Sequence, residues 1–362
     1  MSEAPVETVD RPPPEEEQDD DHGLEFNGRT VLTLCGFLLA MLAALYFLLP
    51  KIAGLGDTWK RIEDGSPWWM AVALVFTVGM YAGYVEMFRG VFKDHRIGRR
   101  ASAQITMAGL AASRLFAAGG AGGLVLQAWA LRQAGLRRRV VADKTISFLV
   151  MTYAPYAFAV IVCGFGLYLG IFQGDAPFSM TVVPAVAALI MVGLTLSIVL
   201  VPPDLQRRIA RRGKSRLAQK LALVPASSSA GVRDAIRHLR SRDPALLGAI
   251  LFWACQIAVV WAAFRAFTPD APPTAILIQG FFVGMLGNLL PIPGGVGGVE
   301  GGMIGAYAAL GVDAGLAVVA VLVFRAFTFW LPLIPGVIAF FRLRGTVDQW
   351  RRERGATIQS KA

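Results

Sequence analysis

Charge is scarce in this chain. Only 17% of its 362 residues are Asp, Glu, Lys or Arg, against 55% hydrophobic, and the mean hydropathy is +0.54. A soluble domain of this length needs more charge than that to cover its surface. Histidine and cysteine are scarcer still, with three of each. Cys35, Cys163 and Cys255 fall inside apolar runs and share no metal-ligand spacing, so they read as small buried apolar residues. His22, His95 and His238 lie in polar segments and form neither a metal nor a triad spacing. No phosphate-cradling nucleotide loop is present, which argues against ATP-driven pumping by this chain. No nucleophile–base or metal constellation is visible either, so the chain does not read as an enzyme, and no cofactor or metal is expected.

Long apolar runs are what the chain has instead. A helical crossing of the bilayer needs roughly 20 apolar residues. Residues 31–50, 67–88, 145–172, 178–201, 244–267 and 316–341 qualify. Ahead of them, residues 1–30 are acidic and proline-rich. Such a segment buries too little apolar surface to offset its ordering entropy and reads as a disordered tail. It also lacks the basic start and apolar core of a secretory signal peptide. The net charge of +10 does not point to nucleic acid here, because basic residues in a membrane protein report topology and contact with anionic lipid.

Basic clusters at 89–100, 132–144, 207–242 and 342–354 mark a cytoplasmic side. The connections 173–177, 268–274 and 311–315 carry no Lys or Arg and are expected outside. Residues 51–66 join them there despite Lys51, Lys60 and Arg61. Both termini then fall in the cytoplasm of a multi-pass protein in the cell membrane. The spans group into a first half, 67–172, and a second half, 244–342, joined by a basic connection, 203–243, within a membrane domain over 31–342. A basic cytoplasmic tail follows at 343–362. Within the connection, Leu205, Ile209, Leu217 and Leu221 alternate with basic residues, as in a helix lying on the membrane surface or in a solvated basic loop.

Two apolar regions do not fit simple crossings. Residues 101–131 are broken by Gly119-Gly120-Ala121-Gly122-Gly123, and residues 274–310 by Pro291-Ile292-Pro293-Gly294-Gly295-Val296-Gly297-Gly298. Each arm is short for a crossing. Glycine and proline at membrane depth free backbone polar groups, which are tolerated only inside protein or against a water-filled cavity. The two regions share the order arm, Gly-Gly-x-Gly-Gly, arm, long span. The first is flanked by Arg99-Arg100 and Arg137-Arg138-Arg139, and the second has no basic flank. They are therefore expected to dip in from opposite sides as an inverted repeat, the arrangement of secondary transporters. The expected fold is all-α, with about six spans and two re-entrant hairpins.

Ionisable residues inside the apolar regions are costly and need a partner or a role. Glu86 and Arg89, three apart on one helix, read as a local pair. Arg265 lies near an outer helix end and reads as snorkelling. Arg114 stands just before the first glycine break, Glu300 opens the second arm of the other hairpin, and Arg325 lies in the final span, where it can face Glu300. A guanidinium matches phosphate oxygens, and the N–H groups of the glycine breaks add to an anion site. Arg114, Gln127, Asn288, Gly294, Gly295, Gly297, Gly298, Glu300 and Arg325 are therefore the candidate substrate-binding residues. Glu300 is also a candidate carrier of a coupling proton, since burial raises a carboxylate pKa. The Gly79-x-x-x-Gly83 pair reads as close helix packing.

The run Pro291-Ile292-Pro293-Gly294-Gly295-Val296-Gly297-Gly298-Val299-Glu300-Gly301 resembles the signature P-x-P-G-G-x-G-x-x-E-[GA] of the lysylphosphatidylglycerol-synthase transmembrane family of flippase-like proteins. The resemblance covers roughly residues 30–345. It implies a helical membrane fold and movement of anionic or modified lipids between leaflets, with Glu300 as the motif's acidic residue. Many members have an acidic residue and an arginine after the first-half glycines, where this chain has Leu124 and Gln127, and Val299 replaces a frequent arginine. The synthase's soluble aminoacyl-transferase domain has no counterpart here, so lipid lysylation by this chain alone is not expected. The expected activity is transfer of an anionic, phosphate-bearing lipid through a midplane site. A transporter of a small soluble anion and a non-transporting partner of a membrane enzyme are the alternatives.

Overall fold

The computed structural model describes residues 65–93, 97–115, 121–174, 176–200, 229–241, 243–290, 292 and 295–359, with isolated helical positions at 36 and 40. The expected first span at 31–50, the acidic tail, Cys35, His22, His95, Gly294 and the amphipathic stretch of the basic connection lie outside them. Among the described residues every regular element is helical.

Helix α1 spans Pro67–Val91, α2 Arg99–Leu115, α3 Ala121–Gln133, α4 Arg138–Tyr168 and α5 Phe178–Leu200. Helices α6, Pro244–Arg265, and α7, Thr274–Gly284, follow, and a 3₁₀ turn over Met285–Leu289 leads towards α8, Gly298–Ala309. Helix α9 spans Ala314–Arg325, continues as a π-helical stretch over Ala326–Trp330, and hands over to α10, Leu333–Gln359. Helices α1, α4, α5 and α6, and the helical segment Ala314–Glu353, are each long and apolar enough to cross a membrane, so the final span expected over 316–341 is present. Its middle departs from α-helical geometry over the π-helical stretch and the turn that follows. The cause is local: Pro332 lacks an N–H and cannot continue the ladder behind it, and the π-turn, with Leu331 N–H donating to Ala326 O at 2.9 Å, absorbs an extra residue just before it.

Both glycine-broken regions fold as hairpins, α2 with α3 and α7 with α8. Their arms of 17, 13, 11 and 12 residues rise about 16–26 Å, short of a bilayer core of about 30 Å. The two arms of the first hairpin come close enough that a Cβ on Gly123 would stand 2.3 Å from Gly109 O, so a side chain there would force them apart.

The apolar interior shows which way each hairpin enters. One buried cluster gathers the first hairpin (Ile105, Ala108, Leu126, Leu131), the C-terminal end of α1 (Met87, Phe88, Val91), the start of α4 (Val141, Phe148) and the start of α6 (Ala245, Ala249). A second gathers the other hairpin (Phe281, Phe282, Met303, Tyr307), Ala73 of α1, Val160 of α4 and Val259 and Phe264 of α6. The hairpins therefore pack at opposite ends of the same spanning helices. That opposite placement is what an inverted repeat requires.

Docking between the halves is reciprocal. Helix α2 packs on α10 of the second half, and α7 packs on α4 of the first. Helices α1 and α6, which open the two halves, form the most extensive helix pair. They meet through glycines: a Cβ on Gly248 would stand 2.6 Å from Met87 N, and one on Gly83 2.9 Å from Gly248 O. Gly79 faces Cys255 Sγ, so the Gly79-x-x-x-Gly83 pair is a packing stripe. Helix α5 lies at the periphery, packed closely where Gly164 of α4 meets Thr181 and Ala185 and joined to α7 where Gln279 Nε2 donates to Met180 O at 2.8 Å.

The described end of the basic connection, 229–240, is helical and is tied to α4 by a Lys144 Nζ–Asp234 Oδ2 contact of 2.9 Å. Burial alone would raise the Asp234 pKa, but the hydrogen bond and charge of Lys144 outweigh it and hold the group below the usual carboxylate value. His238 lies beside both Asp234 and Asp243.

Candidate functional site

A cavity of about 290 Å³ lies where the two hairpins meet. Arg114, Gly123, Leu124 and Gln127 line it from the first hairpin, and Met285, Asn288, Ile292 and Gly295 from the second. Phe148, Thr152 and Tyr153 of α4, Trp253 and Gln256 of α6, and Phe324, Arg325 and Thr328 of the final span are also part of the wall. Tyr153 stands midway between Arg138 and Tyr168, so the cavity sits near mid-depth.

The second glycine break builds the site's only described carboxylate from the backbone up. Gly297 adopts φ 85°, a left-handed conformation that a residue with a Cβ resists. It forms the N-cap of α8, and its N–H donates to Glu300 Oε2 at 2.7 Å. An acidic residue three positions into a helix is favoured there by this reach-back bond and by the helix dipole. The other oxygen, Glu300 Oε1, accepts from Arg325 Nε at 2.7 Å. Both side chains are buried, Glu300 fully and Arg325 at 5% exposure, so each charge is neutralised by the other.

Arg114 is held differently. Its Nη2 donates to Thr328 O and to the Tyr81 hydroxyl, each at 2.7 Å, and Tyr81 itself donates to Thr328 O at 3.0 Å. The Thr328 carbonyl is available because it lies four residues before Pro332, whose missing N–H would otherwise claim it. Arg114 Nη1 is buried without a partner, and among the described residues Arg114 has no acidic neighbour within ion-pair distance. The guanidinium groups of Arg114 and Arg325 lie 5.3 and 4.2 Å from the Phe329 ring centre, an added cation–π stabilisation.

Of the residues expected from the sequence, Arg114, Gln127, Asn288, Gly295 and Arg325 line the cavity directly. Glu300, Gly297 and Gly298 lie behind it: Glu300 holds Arg325, Gly297 caps α8, and Gly298 packs where a Cβ would meet Gly287 O at 2.8 Å. Glu86 and Arg89 form the local pair at 2.6 Å, and Arg265 stacks on Trp69 and donates to Pro269 O, away from the cavity. Cys163 and Cys255 are buried free thiols.

Sequence reading missed a second half of the repeat. Phe148, Thr152 and Pro155 correspond to Phe324, Thr328 and Pro332: each Thr hydroxyl donates to the preceding Phe carbonyl, at 2.7 and 2.8 Å, and both Phe–Thr pairs line the cavity. Each Thr carbonyl accepts a side chain from elsewhere in the fold, Trp253 Nε1 at 2.6 Å and Arg114 Nη2 at 2.7 Å. The signal was present as Phe-x-x-x-Thr-x-x-Pro against Phe-x-x-x-Thr-x-x-x-Pro. The one-residue difference that obscures it is the residue the π-turn absorbs.

Comparison with known proteins agrees with this architecture. Two UPF0104 membrane proteins of Methanothermobacter thermautotrophicus are similar to the chain. One is 26% identical over 37% of this chain and 39% of the relative, the other 29% identical over 30% and 35%. The chain thus aligns with well under half of each relative's length. Residues 32–336 match the family described as the lysylphosphatidylglycerol synthase TM region, so this multi-pass membrane protein belongs to that family.

Proposed function

We propose that the protein transfers an anionic, phosphate-bearing lipid between the leaflets of the cell membrane. The observation that carries the reading is a mid-depth cavity between two oppositely oriented hairpins whose wall includes Arg114, a cation with an unspent donor and no acidic partner among the described residues. Such a group binds a phosphate oxygen through charge-assisted hydrogen bonds. Family membership supports a role connected with membrane lipids.

The rim of the cavity favours a lipid over a small soluble anion. Tyr153 is 51% exposed at the middle of a spanning helix, and Asn288 is exposed beside Leu286, Leu289 and Leu290, which are 48%, 80% and 48% exposed. An opening with apolar edges at that depth faces acyl chains. It would let a head group enter sideways while its chains stay in the bilayer. Alternating access then amounts to rocking one half against the other around this site. The neutral Arg325–Glu300 pair holds the second hairpin to the final span as that happens.

The test is leaflet transfer in reconstituted vesicles with quenchable anionic and neutral lipids. Transfer of an anionic lipid by wild type, and its loss in Arg114→Gln at unchanged fold, is the expected result. Transfer of no lipid across a broad panel, polyprenyl phosphates included, would overturn the reading and favour a non-transporting membrane partner.

A further inference from the structure

We propose that the cavity is built for a monoanionic phosphodiester head group ending in a small uncharged polyol, and that it selects against amine-bearing head groups. This deepens the lipid-transfer reading and rests on it for the cargo being a lipid.

Charge is the first reason. Arg325 is balanced by Glu300, and no Asp or Glu stands among the described residues that line the cavity. Arg114 is left as one cationic wall group, which complements a single negative charge. A phosphomonoester carries about −1.5 to −2 at neutral pH and would bring charge with no partner. An ammonium would meet a fixed cation and no carboxylate, and an unpaired buried charge is strongly disfavoured.

The neutral polar groups are the second reason. Gln127 and Gln256, 5% and 6% exposed, face the cavity from α3 and α6, and Asn288 faces it from the second hairpin. An amide both donates and accepts, as a hydroxyl does, whereas an ammonium only donates. Three amides around one cation therefore suit a phosphate with hydroxyls beyond it. The neutrality of Gln127 also leaves an amine without a partner on that wall.

Size is the third. The cavity of about 290 Å³ is roughly twice the ~150 Å³ of a cavity that holds one benzene. That accommodates a phosphate with a glycerol-sized group, while the acyl chains stay at the apolar rim.

The experiment uses purified full-length protein and native mass spectrometry. The lipids are an equimolar set of phosphatidylglycerol, phosphatidic acid, phosphatidylethanolamine and lysylphosphatidylglycerol with identical chains. Phosphatidylglycerol is expected to be retained over both amine-bearing lipids by about tenfold, the worth of one charge-assisted hydrogen bond. Arg114→Gln should erase that preference, and Gln127→Glu should shift retention towards lysylphosphatidylglycerol. Gln256→Glu serves the same purpose if Gln127→Glu fails to fold, and the wild-type ranking decides by itself if both fail. Equal retention of all four lipids, or a preference for phosphatidic acid or an amine-bearing lipid, overturns the proposal. The same lipids are then followed in vesicles. Preferential retention of phosphatidylglycerol without leaflet transfer would leave the selectivity standing and sink the transfer reading. Transfer led by lysylphosphatidylglycerol would sink the selectivity alone.

Discussion

Glu300 and Arg114 are both ionisable groups at membrane depth, but they do different work. Glu300 accepts from Arg325 and from Gly297 N–H and is fully buried. Removing one member of a buried ion pair costs about 3–5 kcal/mol because the other charge is left uncompensated. Glu300→Ala is thus expected to lower the unfolding temperature in detergent strongly. Glu300→Gln should lower it less, since an amide oxygen still accepts from one donor. Arg114→Gln should cost less stability than Glu300→Ala and still abolish lipid transfer. An Arg114→Gln protein that transfers lipid like wild type would remove Arg114 from the site. Asp234 gives a residue-scale prediction on the polar side. Its carboxyl is held below the usual value, so the native state favours its ionised form. The resulting stabilisation is present above the unfolded pKa of about 3.9 and lost as pH falls through the lower folded value. Hydrogen exchange, corrected for the intrinsic effect of pH, should show the 229–240 helix loosening below that range. Asp234→Asn should show the loosening already at neutral pH.

At the scale of elements, the broken final span ties helix geometry to the site. Pro332 frees the Thr328 carbonyl, and Arg114 and Tyr81 occupy it. Pro332→Ala supplies an N–H that competes for that carbonyl and removes a helix breaker worth roughly 3 kcal/mol. The variant is expected to be more heat-stable in detergent and slower in transfer, because Arg114 loses an anchor. Faster transfer, or no change in either measurement, would dissociate the break from the site. The hairpins were legible in the sequence because glycine runs interrupt apolar arms too short to cross. The break at Pro332 was not, because the apolar run continues through it, and an apolar run reports burial in lipid but not helix continuity.

For the whole molecule, the two buried clusters at opposite ends of α1, α4 and α6 give the halves opposite orientation. Combined with the positive-inside rule, this makes a topological prediction. A single cysteine at Gln173 or Thr268, in a protein whose native cysteines are replaced, should react with an impermeant maleimide from outside intact cells. A cysteine at Arg99 or Arg138 should react only after permeabilisation. Labelling of both sets from one side would contradict the inverted arrangement.

Composition and local pattern set the class of molecule, the five spans from Pro67 onward, the two hairpins and most of the ionisable residues at the site. These follow from composition and from local rules: apolar length sets a crossing, glycine breaks a helix, and a charge inside an apolar run demands a partner. Tertiary structure decided the rest. It brought Arg114, Gln127, Asn288 and Arg325 to one cavity, placed Glu300 behind it as a structural partner, and matched Phe148 and Thr152 with Phe324 and Thr328 across the repeat. Contacts between residues far apart in the chain depend on how the two halves dock. That docking is set by shape, through close approaches such as Gly83 against Gly248, which a linear pattern of apolar and polar residues does not encode.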